Sequence, residues 1–143
     1  MSADNKPAFP SAPDFGRSLR GFGVNLLVKD VTAALAFQTE VLRVRLVHHD
    51  GDFAVLTHGG AVWMLHGDGT YHSHPLLPLL SDGAVRGLGC ELRLYDLDPD
   101  ACEARARALG YEVLQESRNK PHGLRECYLL DRDNYLWVPG VGV

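Results

Sequence analysis

The sequence predicts an α+β fold in which two β-α-β-β-β modules form a cup-shaped mixed sheet with the helices outside. Alternating apolar residues, typical of strands, and apolar residues at helical spacing follow one another in the same order in both halves of the chain. A segment rich in glycine and proline separates the halves. The sequence N-L-L-V-K-D-V-T from Asn25 also aligns with E-L-R-L-Y-D-L-D from Glu91 at a constant offset of 66 residues, which indicates an internal repeat.

Composition limits the chain to a few classes of protein. Its 143 residues suit one domain, with 45% hydrophobic and 22% charged residues and a net charge of -4. The sequence has no concentration of basic residues of the kind that binds nucleic acid. Apolar runs such as 75–80 are far shorter than the roughly 20 residues needed to cross a bilayer. The N-terminus has no charged start followed by an apolar stretch, and the three cysteines are widely spaced. We therefore expect a cytoplasmic protein with free thiols and with no nucleic-acid or membrane partner.

Two segments lie outside the predicted modules. Residues 1–20 carry three prolines among Ser, Ala and Asp residues, a mixture that should not hold a helix or a central strand. We expect an extended N-terminal arm, either without fixed structure or lying over a partner subunit. Residues 67–88 contain glycines, prolines and a Ser-Asp-Gly turn, and are expected to form a linker with one short helical turn near 76–80.

The first module is predicted to span residues 21–66. Apolar residues alternate from Gly21 onwards, and Thr32 is then the expected N-cap of a helix with apolar residues at helical spacing. The sequences D-G-D and G-G are turn signals between the later strands. The predicted elements are a strand over 22–29, a helix over 33–42, and strands over 43–49, 53–58 and 61–66.

The second module is predicted to span residues 89–139 in the same order. Asp98 followed by Pro99 is a typical helix start, with a capping carboxylate and a proline at the first helical position. Gly110 is a typical helix end. Strands are predicted over 89–95, 111–116, 124–130 and 135–138.

Three stretches of sequence carry a resemblance to a known family. They are V-K-D after the first strand, A-L-G-Y-E-V at the end of the second helix, and P-H-G-L-R-E followed by D-R-D-N-Y-L-W near the C-terminus. Together with the two modules they resemble, over residues 21–139, the vicinal oxygen chelate superfamily, which is the glyoxalase, bleomycin-resistance protein and extradiol dioxygenase group. The resemblance implies a cup-shaped pocket and a homodimer. It implies no single activity, because the superfamily contains metal-dependent isomerases, lyases and dioxygenases alongside metal-free antibiotic-binding proteins.

The resemblance also implies where a metal would be held. In metal-dependent members a His or Gln opens the first strand of each module and a Glu lies on each last strand. Carried onto this sequence, those positions are Gly23, Met64, Gly89 and Val138. None offers an imidazole nitrogen or a carboxylate oxygen, so we expect no metal and no other cofactor. A relocated site built from His66 and Glu91 would have two ligands, whereas catalytic metal sites normally have three from the protein.

Candidate ligand-binding residues follow from strand alternation. Asn25, Glu91 and Arg93 are predicted to face the cup from the first strands of the two modules, and Met64 and His66 from the last strand of the first module. Arg93 could clamp a carboxylate or phosphate, and Glu91 could accept a hydrogen bond from an amine. The alternative is an ion pair between Arg93 and Glu91 that satisfies itself on a solvated sheet face. No catalytic residue is assigned.

The remaining aromatic and histidine positions have simpler interpretations. Trp63 and Trp137 occupy equivalent positions in the repeat and are expected behind the sheet, in the core, although strand register leaves open a role as a stacking wall. His48 and His49 point to opposite faces of one strand and are interpreted as a surface feature. Alternation leaves open which face of the strand over 124–130 lines the pocket.

The functional expectation is a metal-free, homodimeric small-molecule binding protein of the glyoxalase/bleomycin-resistance type, holding an antibiotic-like or aromatic ligand. The alternative is an enzyme of the same superfamily, a glyoxalase-like lyase or a dioxygenase. It would use a relocated metal site or a metal-free mechanism with Glu91 as general base. A third alternative is an oligomeric interaction module, in which bulky side chains would fill the cup.

Overall fold

The structure is a computed structural model that describes residues 8–70, 73–80 and 83–143, and the strands in these ranges form two four-stranded mixed sheets. A short helix, α1 (Ala12–Ser18), comes first. The first module comprises β1 (Val24–Val28), α2 (Val31–Ala36) with a π-helical continuation (Phe37–Leu42), β2 (Arg45–His49), β3 (Phe53–His58) and β4 (Ala61–Gly67). The second comprises β5 (Glu91–Tyr95), α3 (Pro99–Ala108), β6 (Glu112–Asn119), β7 (Leu124–Leu130) and β8 (Leu136–Gly142). Short 3-10 helices lie between the modules at Asp68–Thr70 and Leu77–Leu79.

The strand order repeats between the sheets. It is β1-β4-β3-β2 in the first and β5-β8-β7-β6 in the second, and in each the first strand of the module runs parallel to its last. The other neighbours are antiparallel. The predicted α+β class is confirmed. The predicted bounds of β3 and β7 agree with the structure.

The hydrophobic core lies between the helices and the sheets and joins the two modules. Trp63 and Trp137 are buried with their ring centroids 5.8 Å apart. Phe37, from the π-helical segment, packs with its ring centroid 6.3 Å from that of Trp137 and 5.0 Å from that of Tyr111. Gln38 is also buried, and its Oε1 accepts a hydrogen bond from Trp63 Nε1. Both tryptophans are therefore core residues, as the alternation of the strands predicted.

The N-terminal segment, residues 8–20, is not wholly extended, which corrects the prediction made from its prolines. Ser11 caps α1 by accepting from the Asp14 backbone N–H at 3.3 Å, and Pro13 lies in the first turn. Proline is tolerated there because a first-turn N–H has no helical partner to lose. The remaining arm residues, 1–7, lie outside the described residues.

The two main helices begin and end differently from one another. Asp30, rather than the predicted Thr32, caps α2, and the helix continues in π-helical form to a left-handed residue, Arg43 (φ 56°). As predicted, Asp98 caps α3, and Gly110 (φ 80°) follows its end. Thirteen positions separate Asp30 from Arg43, and twelve separate Asp98 from Gly110.

In the described ranges, none of the helices has the length and apolar character needed to span a bilayer.

Arg86 anchors the region that was predicted to be a linker. Its side chain is 2% exposed and donates to both carboxylate oxygens of Asp68, at 2.7 and 2.6 Å. It also donates to the Leu27 carbonyl at the end of β1 and lies 3.9 Å from Asp133. The stretch between the modules therefore contains a buried polar anchor.

A tight turn between β7 and β8 is held by Asp131. Its carboxylate accepts from the backbone N–H groups of Asp133 and Tyr135 and from Trp137 Nε1, at 2.9, 3.0 and 2.9 Å respectively. Burial raises the pKa of Asp131 to about 6, although these hydrogen bonds oppose the shift. Gly87 packs directly on this turn, and a Cβ there would lie 2.8 Å from the Tyr135 Cα.

Candidate functional site

A cavity of about 790 Å³ lies on the face of the first sheet opposite the core. We call it the aromatic chamber, because rings from β2, β3, β4 and the N-terminal segment line it. These rings belong to Phe9, Phe15, His48, Phe53 and His66. All five residues are partly exposed.

The rings of the aromatic chamber pack against one another. Phe53 lies 4.6 Å from His66 between ring centroids, and Phe15 meets the Phe53 ring edge-on at 6.1 Å. Phe9 stacks on His48 at 3.9 Å with an interplanar angle of 9°. Such ring pairs each contribute about 0.5–1.5 kcal/mol beyond the area they bury.

Polar groups give the aromatic chamber a negative character. His66 Nδ1 lies 2.6 Å from Asn25 Oδ1, and since a carbonyl oxygen only accepts, Nδ1 carries the proton. Burial lowers the pKa of His66, so the imidazole is neutral at pH 7. Asp50 and Asp52 are exposed residues of the lining, and the Asp50 carboxylate lies 3.7 Å from His48 Nε2. Two carboxylates therefore belong to the lining that also contains the neutral His66 ring.

A second cavity, of about 690 Å³, lies between the modules, and we call it the inter-module groove. The N-terminal segment, β4 and β5 contribute its lining. Met64, Glu91 and Arg93 are among the lining residues, together with both buried tryptophans.

Arg93 is engaged by two carboxylates. Its guanidinium lies 3.3 Å from Glu91 Oε2 and hydrogen-bonds Glu126, whose side chain is fully buried. His122 Nε2 lies 3.3 Å from Glu126 Oε2. Burial alone would raise the pKa of Glu126, but the hydrogen bonds and charges of Arg93 and His122 outweigh it, so the pKa is lowered. Among the residues that the structure describes, Glu126 Oε1 has no hydrogen-bond partner.

The orientation of β7, which the sequence left open, follows from this cluster. Cys127 and Leu129 belong to the hydrophobic core, so the face that carries Glu126 and Tyr128 is the one opposite the helices.

The candidate ligand-binding residues divide between the two cavities. His66 lines the aromatic chamber, and Asn25 is joined to it by the hydrogen bond at Nδ1. Met64, Glu91 and Arg93 line the inter-module groove instead. The ion pair between Arg93 and Glu91, which the sequence left open as an alternative to ligand contacts, is present at 3.3 Å. The sequence did not indicate that Glu126 is the more buried partner of Arg93.

Sequence reasoning missed most of the aromatic chamber. His48 was interpreted as a surface feature, but its ring is partly buried under Phe9. Phe53 has the same strand parity as Val55, away from core residues Ala54 and Leu56, and that alternation could have placed it on the open face. No local signal indicated that Phe9 or Phe15 would return to this sheet.

Comparisons with solved structures identify the fold. TioX from Micromonospora sp. ML1 aligns with a TM-score of 0.63 at 22% identity, covering 87% of this chain and 97% of that one. A glyoxalase/bleomycin resistance protein/dioxygenase from Nocardioides aligns with a TM-score of 0.63 at 18% identity, covering 92% and 91%. The chain therefore has the fold of the glyoxalase/bleomycin resistance protein/dioxygenase structures. The fosfomycin resistance protein FosX from Listeria monocytogenes shares it, with a TM-score of 0.62 at 18% identity over 87% of this chain and 95% of that one. No protein-family model and no curated protein matches the sequence.

The residues at the positions where the family resemblance places metal ligands do not fit a divalent metal. Gly23, Gly89 and Val138 have no donor atom in their side chains, and Met64 offers a thioether, which suits neither hard nor borderline divalent ions. In the described ranges, no three His, Cys, Asp or Glu side chains are grouped so that they could hold an ion. The pair considered for a relocated site is separated, because His66 lines the aromatic chamber and Glu91 the inter-module groove.

Proposed function

We propose that the protein binds a small planar aromatic molecule with a positive charge, and that the aromatic chamber is the binding site. The observation that carries this proposal is the row of rings on one side of the first sheet, from His48, Phe53 and His66, beside the carboxylates of Asp50 and Asp52. Aromatic walls with a few directed polar groups are typical of small-molecule sites.

The charges favour a cation over an anion. His66 is neutral at pH 7 because burial lowers its pKa, so the side of the chamber that it forms carries no positive charge. Asp50 and Asp52 then attract a cationic ligand, and the net charge of -4 acts weakly in the same direction. Asn25 has a positioning role here, since it fixes the ring orientation and proton position of His66.

We propose that Met64, Glu91 and Arg93 contact a part of the ligand that reaches the inter-module groove. Phe15 lines both cavities, so the two cavities adjoin one another. Their volumes, about 790 and 690 Å³, argue against an interaction module with a filled cup. The separation of His66 from Glu91 supports binding rather than the enzymatic alternative with a relocated metal. The similarity to a fosfomycin resistance protein also agrees with a small-molecule role.

We further propose that the protein acts as a cytoplasmic homodimer. Phe22 and Leu88 occupy equivalent positions at the repeat offset and are 90% and 85% exposed. Large exposed apolar side chains at related positions favour association, because burying them removes apolar surface from water. Light scattering should report twice the chain mass, and a monomer at micromolar concentration would contradict this proposal.

Proflavine, a planar aromatic cation, is a suitable probe of the ligand proposal. A probe concentration about 100 times its Kd should stabilise the fold by about 2.7 kcal/mol, so we expect a higher melting temperature. 2-Naphthoate, which is aromatic but anionic, should stabilise the protein much less.

Variants then locate the proflavine site. Phe53→Leu and Asp50→Asn should each weaken proflavine binding roughly tenfold, in line with the loss of one ring contact or one charge contact of about 1.4 kcal/mol. Glu112→Gln, which removes an exposed carboxylate on β6, is the matched control and should bind like the wild type. Absence of proflavine binding, or equal binding by all these proteins, would refute the proposal.

A further inference from the structure

The N-terminal segment is held on the first sheet by few contacts. Of the described residues of α1, none is buried. The side-chain hydrogen bonds of the segment are local, as in the pairs Asp14 with Ser11 and Arg17 with Asp14. Phe9 and Phe15 are the residues within 8–20 that are partly buried, and the others are exposed. The two phenylalanine rings therefore provide most of the attachment.

Phe9 occupies a position that suits a ligand ring. Its parallel stack on His48, at 3.9 Å and 9°, is close to the geometry that a planar aromatic ligand would adopt there. His48 belongs to β2 and is fixed by the sheet, whereas Phe9 belongs to a segment with little other attachment. The face of His48 that Phe9 covers is thus closed to a ligand while the segment is docked.

We infer that the N-terminal segment is a displaceable lid and that Phe9 is an internal competitor for planar cationic rings in the aromatic chamber. This inference rests on the proposed function. A ligand ring stacks on His48 only after Phe9 has left it, so the apparent affinity is reduced by the fraction of molecules in which the lid is docked. Removing the Phe9 ring removes the competitor and leaves the rings of the sheet in place.

The first test compares proflavine affinity in the wild type, Phe9→Ala and Leu114→Ala. Leu114 is 56% exposed on β6 and lines neither cavity, so Leu114→Ala controls for the loss of a large apolar side chain. Phe9→Ala should bind proflavine roughly tenfold more tightly, equivalent to about 1.4 kcal/mol. Leu114→Ala should bind like the wild type.

The second test follows the lid directly, and its comparison of variants without ligand does not depend on the ligand proposal. Arg17 and Arg20 are exposed and offer trypsin two cleavage sites at the end of the segment. Mass spectrometry should show the fragments 1–17 and 1–20 released several-fold faster from Phe9→Ala than from the wild type or Leu114→Ala. Saturating proflavine should accelerate release from the wild type.

The outcomes of these tests distinguish the displaceable lid from the proposed ligand-binding function. Equal or weaker proflavine binding by Phe9→Ala would show that Phe9 is a passive wall or plays no part, which overturns the lid and leaves the proposed function standing. Unchanged release of the fragments from Phe9→Ala would also overturn the lid. Absence of proflavine binding by every protein would refute the proposed function, and the internal-competitor role with it.

Discussion

Replacing Arg93 by alanine should destabilise the protein by about 3 kcal/mol, because Glu126 would remain buried without its principal counter-ion. Removing one partner of a buried ion pair typically costs about 3–5 kcal/mol. Two features place the expected loss for Arg93→Ala at the lower end of that range. Arg93 keeps 24% of its side chain exposed, and His122 stays 3.3 Å from the Glu126 carboxylate.

Urea unfolding at pH 7 measures this loss. Calorimetry should also show a melting temperature lower by roughly 10 °C, at about 3 °C per kcal/mol for a domain of this size. Arg118→Ala is the matched control, because Arg118 pairs with Glu116 at 3.6 Å while both side chains are at least half exposed. Its loss should stay below about 1 kcal/mol.

The pH dependence of the stability difference between the wild type and Arg93→Ala tests whether the buried Glu126 carboxylate causes the loss. In the wild type the pKa of Glu126 lies below the ordinary value of 4.5, so the pair's contribution is present above that pH and is lost as pH falls. In Arg93→Ala, burial without the guanidinium raises the pKa of Glu126, and the folded variant gains a proton as pH falls. The stability difference should therefore narrow from pH 7 towards pH 4.5. A loss below 1 kcal/mol at pH 7, or a gap that does not change with pH, would refute the reasoning.

Two further predictions concern the turn around Asp131. Gly87→Ala should lower the free energy of unfolding in urea by roughly 1–3 kcal/mol, because the added Cβ would lie 2.8 Å from the Tyr135 Cα. Gly142→Ala is the control, since a Cβ there meets no described atom within 4 Å. Equal stability of the two variants would contradict the prediction. The Asp131 carboxyl should titrate in carbon-detected NMR near pH 6, since burial raises its pKa from 3.8 to about 6. Its contribution to stability is then full below about pH 3.8 and is lost as pH rises through about 6; a midpoint below 4 would show that the hydrogen bonds at the turn outweigh burial.

The parts of the fold that the sequence predicted are those with local causes. The helix that begins at Asp98 and Pro99 and ends before Gly110 has caps that act within one turn. The bounds of β3 and β7 followed from flanking turn residues. By contrast, the sequence did not predict α1, because the three prolines of residues 1–20 disfavour a helix; Pro13, the one proline within α1, lies in its first turn, where proline is tolerated.

The candidate site was predicted only in part because its two halves depend on contacts between distant segments. Alternation correctly placed His66 and Arg93 opposite the core, since side-chain parity is a local property. Burial of Glu126 beneath Arg93 depends on how β5, β7 and β8 come together, which no single strand encodes. The docking of Phe9 on His48 joins residues 39 positions apart by ring packing alone.

The π-helical segment Phe37–Leu42 lengthens and locally widens the helix of the first module. With this segment the helix covers residues 31–42, whereas α3 covers Pro99–Ala108 and is two residues shorter. The strand order is nevertheless the same in both sheets, β1-β4-β3-β2 and β5-β8-β7-β6. The two modules can therefore differ in helix length without a change in the arrangement of their strands.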